Sequence, residues 1–402
     1  MDASKDAPRD AAALDRADPL RARRDEFDLP EGVIYLDGNS LGPPPRRALA
    51  RLTETATREW KDGLIRSWND AGWIDLPERA GAKIAQIIGA DDGEVIVADS
   101  VTVNLFKLAS ALIALRPGKS LCVEGDEFPT DQYVMDALSK IHGASLRRIE
   151  GGAIPDDAGV IVRSLAHYKT ASIADMAAAE AKAAHIGAAI IWDLSHAAGL
   201  LAIDVKRDGA KFAVGCGYKY LNGGPGAPAF VYAARDEAQK LNQPIAGWMG
   251  HAAPFDFAPD YKPADGAKRF AAGTPAILSL AALDAALEIF DGLDMRLLEE
   301  KARSLGALFL ERTDALGFPV LDTKGPRGGH VCLHSENGYQ IMQALIAKGV
   351  IGDFRPPGLM RFGFSPLFLS YADIERAAAM LGDIVKTEEW RQPEYSKRSK
   401  VT

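Results

Sequence analysis

The sequence predicts an α/β protein of two domains, the larger of which is built on a mostly parallel, doubly wound sheet. First, short apolar runs alternate with helical stretches between residues 94 and 232, as in successive βαβ units. Second, 402 residues with 47% hydrophobic content are more than a single core usually serves. Third, polar residues directly follow several of the apolar runs, at the edge where open α/β sheets bind ligands.

Apolar runs and helical periodicity place the individual elements. The apolar runs predict strands at 32–36, 94–98, 120–124, 145–149, 159–165, 188–192, 212–215 and 228–232. Helical patterns predict helices at 46–60, 76–89, 173–186 and 276–290, one from the 99–104 turn to about 115, and one opened by 126–131. After 293 the pattern changes to a long charged helix, strands at 329–334, 350–353 and 358–364, and a helix through 347. We therefore expect an N-terminal arm at 1–29, a smaller α/β domain from 30–60 with 293–402, and a large domain at 61–292.

Charge and cysteine content exclude several classes of partner. A net charge of −8, without a Lys/Arg-rich run before the last residues, argues against nucleic acid or an anionic membrane. No apolar run is long enough to span a bilayer, since Lys107 interrupts the most apolar helix. The three cysteines lie far apart without metal-type spacing, so we expect reduced thiols, a cytoplasmic location and no bound metal.

The stretch from Asp193 to Gly226 carries the strongest chemical signal. Asp193 ends one apolar run, and Lys219 follows a second run and precedes several glycines. A carboxylate for a heterocyclic nitrogen and a lysine that forms a Schiff base are what pyridoxal 5′-phosphate (PLP) requires. Two alternatives remain open at this point: a solvated surface lysine, and an aspartate that caps a helix.

Two further turns follow predicted strands. The turn at 99–104 leads into a helix, so its backbone N–H groups and the helix dipole favour an anion such as phosphate, although Thr102 could serve only as the N-cap. In the next turn Phe128 could stack on a flat cofactor, with Asp131 in the first turn of the following helix. The alternative there is that Thr130 caps the helix and Asp131 complements its dipole.

Candidate substrate contacts lie in two loops and on one late strand. The loop at 37–45, which contains Ser40, offers backbone and hydroxyl hydrogen bonds but could be a plain connection. Arg66 and Trp68 suit an aromatic, anionic molecule, although tryptophan more often serves packing. Arg361 stands on an apolar strand and therefore needs a carboxylate partner, either from the protein or from a substrate.

Together these positions resemble the kynureninase family, PLP-dependent enzymes of fold type I in the class V aminotransferase group. The resemblance covers roughly residues 34–374 and is to the bacterial type, which favours L-kynurenine over its 3-hydroxy relative. It differs from animal forms at Thr274, where they carry asparagine, and around Arg66 and Trp68, where they place a histidine. The matching strings are YLDGNSLG at 35–42, FPTD at 128–131, WDLSH at 192–196, YKYLNGG at 218–224, GWMGH at 247–251 and GTP at 273–275.

The resemblance implies a role for each matching residue. It implies that Lys219 forms the Schiff base and removes the α-proton, that Asp193 pairs with the pyridinium nitrogen, and that Phe128 stacks on the ring. Trp248 and Thr274 are implied as contacts from the second subunit of a homodimer, and Arg361 as the contact of the substrate's α-carboxylate. Ser40, Arg66 and Trp68 are kept as candidate substrate contacts from their loops. The rest of the implied cofactor shell is Val101, Thr102, Pro129, Thr130, Asp131, Ser164, His196 and Tyr218.

The implied activity is hydrolysis of the Cβ–Cγ bond of L-kynurenine to anthranilate and L-alanine, in tryptophan degradation. Tyr218 is the first candidate for the proton donor that this cleavage needs, and Asp131 the second. One alternative is a cysteine desulfurase or selenocysteine lyase, but these have glutamine where His196 stands and need a mobile catalytic cysteine. Cys332 could be nominated, although it lies within an apolar strand. The other alternative is a non-catalytic PLP-binding sensor.

Overall fold

The computed structural model describes residues 9–321 and 325–398, which form two compact units. The larger unit consists of Leu41–Tyr168 and Ser172–Met295. The smaller unit takes in the residues up to Ser40, Lys169–Ala171, and the residues from Arg296 onward. The predicted boundaries placed 41–60 in the smaller domain, whereas the helix in this segment packs against the helix at Ile277–Leu287 in the larger unit.

No helix in the described ranges is both long and apolar enough to cross a bilayer.

The elements follow the predicted order closely. The helices are α1 (Ala11–Ala17), α2 (Arg46–Glu54), α3 (Ser67–Asp70), α4 (Leu76–Ile88), α5 (Val101–Ala114), α6 (Pro129–His142), α7 (Met176–Ile186), α8 (Arg235–Ala238), α9 (Ile277–Leu287), α10 (Met295–Thr313), α11 (Gly338–Ala347) and α12 (Tyr371–Thr387). The strands are β1 (Ile34–Tyr35), β2 (Val95–Val97), β3 (Ser120–Glu124), β4 (Leu146–Ile149), β5 (Ala158–Ser164), β6 (Ala189–Asp193), β7 (Phe212–Gly215), β8 (Phe230–Ala233), β9 (His330–His334), β10 (Val350–Ile351), β11 (Asp353–Arg355) and β12 (Leu359–Gly363).

The larger unit contains a seven-stranded sheet in the order β2-β8-β7-β6-β5-β3-β4. The five strands from β7 to β4 are parallel. At one edge β8 pairs antiparallel with β7, and β2 pairs antiparallel with β8. All residues of β3, β6 and β7 are buried, as expected for strands covered on both faces. The predicted mostly parallel α/β sheet is therefore confirmed.

Helix boundaries depend on local capping that periodicity does not show. The helix predicted from residue 173 begins at Met176, because the Asp175 side chain accepts a hydrogen bond from the Ala178 N–H and so caps the helix. It ends as predicted at Gly187, whose φ of 71° is the left-handed conformation that glycine adopts readily.

The smaller unit contains two separate β-structures. Strands β1 and β10 pair in parallel, and β11, β12 and β9 form an antiparallel sheet. The single strand predicted at 350–353 is thus two strands, separated at Gly352. A Cβ at Gly352 would lie only 3.0 Å from the Arg361 carbonyl oxygen, so glycine allows the close backbone approach at this break.

Residues predicted as an N-terminal arm are packed within the smaller unit from residue 11 onward. Leu20 and Phe27 are each 2% exposed, and Asp18 forms a buried ion pair with Lys301 at 2.7 Å. Arg24 also pairs with Asp373. Two isolated apolar anchors and two ion pairs leave no periodic pattern in the sequence, so this packing could not be predicted from it.

We expect Asp18→Asn to destabilise the protein, because it leaves the buried Lys301 ammonium without its counter-charge. Breaking one partner of a buried pair costs about 3 kcal/mol or more, whereas an exposed pair contributes below about 1 kcal/mol. The urea midpoint of unfolding should therefore fall clearly for Asp18→Asn. It should barely move for Glu375→Gln, which breaks an exposed pair with Arg312. Equal midpoints for the two variants would contradict the assignment.

Candidate active site

The strand ends of the parallel sheet bring the predicted site residues together. Ser164 is the last residue of β5 and Asp193 the last residue of β6, and they are direct partners in the strand register. The Leu165 N–H donates to the Asp193 carbonyl at 3.0 Å, which continues the pairing beyond the strands. Lys219 follows β7, the neighbour of β6, after a turn of three residues. The parallel register therefore gathers these side chains at one edge of the sheet.

A cavity of about 130 Å³ lies at this edge. Ten of the predicted cofactor residues line it, whereas Pro129, the first residue of α6, does not. Several lining residues had not been predicted, although Tyr168 and Ser195 follow strand ends and Ser100 precedes a helix, so their positions could have marked them. The lining residues are Ser100, Val101, Thr102, Phe128, Thr130, Asp131, Ser164, Tyr168, Asp193, Ser195, His196, Cys216, Tyr218, Lys219, Ala227 and Ala229.

Lys219 is half-buried at the cavity and contacts three side chains. Its Nζ lies 3.0 Å from Nε2 of His196. The same Nζ lies 5.9 Å from the ring centroid of Phe128 and 5.9 Å from that of Tyr218, within the range of cation–π attraction. Lys219 is therefore not the solvated surface residue that was one of the alternatives.

Asp131 carries a carboxyl group that is buried in the cavity wall. The residue is 1% exposed, and neither carboxyl oxygen has a hydrogen-bond partner among the described residues. Burial first, and then the neighbouring charges of Asp193 and Glu127, raise the pKa of Asp131 well above its usual value, while Lys219 lowers it. A buried carboxyl group without a partner in the protein is ready to bind a ligand group.

The turn before α5 has the geometry of an anion site. Ser100 is the N-cap, and its side chain accepts a hydrogen bond from the Val103 N–H at 3.4 Å. The alternative that Thr102 caps this helix is therefore wrong, and Thr102 instead lines the cavity. Asp99 has a φ of 48° and forms an ion pair with the fully buried Lys107 at 2.7 Å, which holds the turn. Free N–H groups at the start of α5 thus adjoin the cavity.

Phe128 stands at the start of α6 with its ring at the cavity. The ring is 41% exposed and meets Tyr168 edge-to-face at 5.3 Å between centroids. Phe128 is itself the N-cap position of α6, and no side chain caps that helix. The alternative in which Thr130 is the N-cap is therefore wrong.

Glycines around Lys219 serve backbone packing. A Cβ on Gly42 would overlap the Lys219 carbonyl oxygen, and one on Gly217 would overlap the Pro228 carbonyl oxygen. The Gly42 N–H donates to the Tyr218 carbonyl at 2.8 Å. These two glycines therefore leave room for neighbouring backbone and so fix the segment that carries Lys219.

Besides Pro129, four residues predicted as ligand contacts in the larger unit do not line the cavity. Trp248 and Thr274 are exposed, and the Trp248 ring contacts Phe255 edge-to-face at 5.7 Å. Arg66 is exposed, and its guanidinium donates to two backbone carbonyls of its own turn. Trp68 packs edge-to-face on a second tryptophan at 6.1 Å, which is the packing alternative.

In the smaller unit Arg361 has the carboxylate partner that its place on a buried strand requires. Its Nη2 donates to Asp353 Oδ2 at 2.6 Å and to the Ser40 hydroxyl at 2.8 Å. Asp353 faces Arg361 across the antiparallel pair β11–β12, and both are almost fully buried. Of the two predicted sources of a carboxylate for Arg361, the protein or a substrate, the protein supplies it here through Asp353. Nearby, burial first and then Asp353 raise the pKa of Asp37 to about 7, while Ser40 and Arg361 lower it.

Comparison with known proteins identifies the family. A kynureninase from Pseudomonas fluorescens is 42% identical over 98% of this chain and 99% of its own, and one from Deinococcus radiodurans is 44% identical over 93% and 95%. The chain belongs to the kynureninase family. The model of the kynureninase C-terminal domain also matches residues 298–381. The resemblance that the motifs indicated is therefore confirmed.

Solved structures confirm the fold. The cysteine desulfurase CsdA from Escherichia coli superposes with a TM-score of 0.78, at 18% identity, over 92% of this chain and 98% of its own. A C-DES mutant with glycine covalently linked to its PLP cofactor gives 0.79, at 18% identity, over 90% and 99%. The kynureninase-family chain therefore has fold type I, but at this identity the likeness carries no activity. Cys332, the desulfurase candidate, is buried in β9, and burial raises its pKa to about 12.

We expect the stability of the protein to depend on Asp37 as pH rises. Between about 4 and about 7 the folded protein keeps a proton on Asp37 that the unfolded chain has lost, so this group lowers stability progressively through that window. Asp37→Asn should match the wild-type urea midpoint at pH 4 and exceed it at pH 8. Asp383→Asn, at an exposed position on α12, should show no such divergence. A constant difference between Asp37→Asn and wild type at both pH values would contradict the raised pKa.

Proposed function

We propose that this protein uses PLP to hydrolyse L-kynurenine to anthranilate and L-alanine, in tryptophan degradation. The observation that carries the proposal is the convergence of Lys219, Asp193 and Tyr218 on one cavity, in a chain 42% identical to a kynureninase over nearly its whole length. The same three residues are those that the motif resemblance assigned to this chemistry.

The residues at the cavity fit the cofactor. PLP requires a lysine for its aldehyde, an acid for its ring nitrogen and an anion site for its phosphate. Lys219 and Asp193 line the cavity together with the N-terminal turn of α5. The partnerless carboxyl group of Asp131 offers a further polar contact to the same ligand. When bound, PLP supplies an electron-withdrawing ring that makes the substrate's α-proton removable.

We assign the holding roles accordingly. Lys219 would hold the cofactor covalently, Asp193 would keep its ring nitrogen protonated, and Phe128 would cover the ring. Asp193 is fixed for this role, because its Oδ1 accepts the Ser195 N–H at 2.7 Å. The remaining proposed cofactor contacts are Val101, Thr102, Pro129, Thr130, Asp131, Ser164, His196, Tyr218, Trp248 and Thr274.

Proton transfer falls to Lys219 and Tyr218. Lys219 takes the α-proton, with His196 at 3.0 Å orienting its Nζ. Cleavage of the Cβ–Cγ bond needs water added to the γ-carbonyl, a proton for the carbonyl oxygen as the water adds, and a proton for Cβ as the bond breaks. Burial first, and then Cys216 and Asp193, raise the pKa of Tyr218, so the phenol stays protonated and able to donate. Asp131, whose raised pKa also favours the protonated form, is the second candidate donor.

The substrate and subunit assignments extend the proposal. Arg361 would bind the α-carboxylate, which must then share the guanidinium with Asp353. Ser40, Arg66 and Trp68 stay proposed substrate contacts. We also propose a cytoplasmic homodimer in which Trp248 and Thr274 serve the neighbouring subunit's cavity, consistent with their exposure and with their not lining their own.

Two other functions are less well supported. A cysteine desulfurase needs a mobile, reactive thiol, whereas Cys332 is buried in a strand with a raised pKa. A PLP-binding sensor would not need Tyr218 and Arg361 in addition to the lysine and the acid. Separate addition of L-kynurenine and of cysteine to the purified holoprotein distinguishes the three functions. Anthranilate fluorescence from kynurenine supports the proposal, and sulfide release from cysteine favours the desulfurase. Turnover of neither substrate favours the sensor.

We expect Tyr218→Phe to slow kynurenine turnover by about 10²–10⁴-fold, because a general acid contributes about that much to rate. PLP binding should persist, since Lys219 and the anion turn remain. Tyr133→Phe, at a 70% exposed tyrosine on α6, is the matched control and should keep full turnover. Tyr218→Phe with wild-type turnover would remove the phenol from the mechanism.

We expect two inactive variants to complement each other if Trp248 acts across a dimer interface. Lys219→Ala removes the cofactor lysine and Trp248→Ala the proposed partner contact. A mixed dimer then retains one cavity in which both residues are intact. Activity should return when the variants are unfolded together and refolded, and stay absent when each is refolded alone. Failure of the mixture, with dimers shown by sedimentation, would place Trp248 at its own subunit's site or outside any site.

A further inference from the structure

Glu127 lies next to the cavity lining, and both oxygens of its carboxylate accept hydrogen bonds from one residue, Ser164. Its Oε1 accepts the Ser164 backbone N–H at 2.6 Å, and its Oε2 accepts the Ser164 hydroxyl at 2.6 Å. Glu127 is 2% exposed and does not line the cavity, whereas Ser164 does. Neither the motif resemblance nor the site assignments above give Glu127 a role.

The Ser164 hydroxyl is the donor in this contact, because the Glu127 carboxylate has only acceptor oxygens and its other oxygen already accepts the Ser164 backbone N–H. A serine hydroxyl has one hydrogen to donate and two lone pairs. With its hydrogen committed to Glu127, Ser164 can present only lone pairs to the cavity.

We propose that Glu127 is a positioning residue that makes Ser164 a fixed hydrogen-bond acceptor toward the cofactor. This inference rests on the proposed function for the identity of that cofactor. Ser164 pairs with Asp193 in the strand register, so its orientation is set beside the acid proposed for the ring nitrogen. The Glu127 backbone is also fixed, because its carbonyl accepts a hydrogen bond from Gln132 Nε2 at 3.0 Å.

Glu127 also links two parts of the cavity wall. It immediately precedes Phe128, whose ring lies at the cavity, and its side chain reaches the end of β5. Its negative charge raises the pKa of Asp131, and Asp193 in turn raises that of Glu127 after the larger effect of burial. The two hydrogen bonds from Ser164 act in the opposite direction and favour the ionised carboxylate.

The test is a double-mutant cycle on PLP affinity. In Glu127→Gln the amide oxygen can keep the backbone N–H, but the amide NH₂ must donate to the Ser164 hydroxyl, which turns its hydrogen toward the cavity. We expect the apoprotein of this variant to bind PLP about 10-fold more weakly, the scale of one charge-assisted hydrogen bond, and to change the visible absorption of the bound cofactor. Ser164→Ala should weaken binding similarly, and the double variant should bind no more weakly than Ser164→Ala alone.

The matched control is Glu124→Gln, a buried glutamate three residues earlier that pairs with Arg163 and does not line the cavity. It should keep wild-type PLP affinity and spectrum. Wild-type affinity and spectrum in Glu127→Gln, or losses that multiply with Ser164→Ala, would overturn the proposal. If Glu127→Gln does not fold, Glu127→Asp replaces it in the cycle, since it keeps the charge but withdraws it from Ser164. Wild-type protein that binds PLP yet leaves kynurenine intact would refute the proposed function while the cycle still decides the role of Glu127.

Discussion

The site depends on the burial of three carboxyl groups beside one cavity. Glu127, Asp131 and Asp193 are all below one-tenth exposed. The charge of Asp193 raises the pKa of both Glu127 and Asp131, and the charge of Glu127 raises that of Asp131. Such a cluster is tolerated only because different groups satisfy different members. Ser164 satisfies Glu127, the Ser195 N–H satisfies Asp193, and Asp131 is left for a ligand or for Lys219.

This arrangement of acidic groups favours the binding of cations and hydrogen-bond donors in the cavity. A buried carboxyl group without a hydrogen-bond partner is unfavourable in a low-dielectric interior, so a ligand group that hydrogen-bonds to it or pairs with its charge is stabilised there. A protonated ring nitrogen and a lysine ammonium are groups of this kind. The strand register makes this arrangement possible, because Ser164 and Asp193 are paired at the ends of the neighbouring parallel strands β5 and β6.

Much of the fold and part of the site could be predicted from the sequence. Buried parallel strands such as β6 and β7 are continuous apolar runs, and polar residues at their ends are visible directly, which is why Asp193 and Lys219 were found. Side chains whose roles depend on tertiary contacts could not be found in this way. Glu127 looks like any acidic loop residue until Ser164 is seen across from it, and the packing of Asp18 against Lys301 joins positions nearly three hundred residues apart. Capping was misjudged at Thr102 and Thr130 because several hydroxyl or turn residues compete within one turn of sequence.

The three cysteines have a consequence for the chemical behaviour of the protein. All are free and buried, and burial raises the pKa of each thiol, so little reactive thiolate is present at neutral pH. Alkylating reagents and mild oxidants should therefore find no ready target in the native state. Cys216, two residues before Tyr218 in the cavity wall, would become reactive only when that wall opens. The rate at which Cys216 is alkylated therefore measures how often the site opens locally, independent of any catalytic turnover.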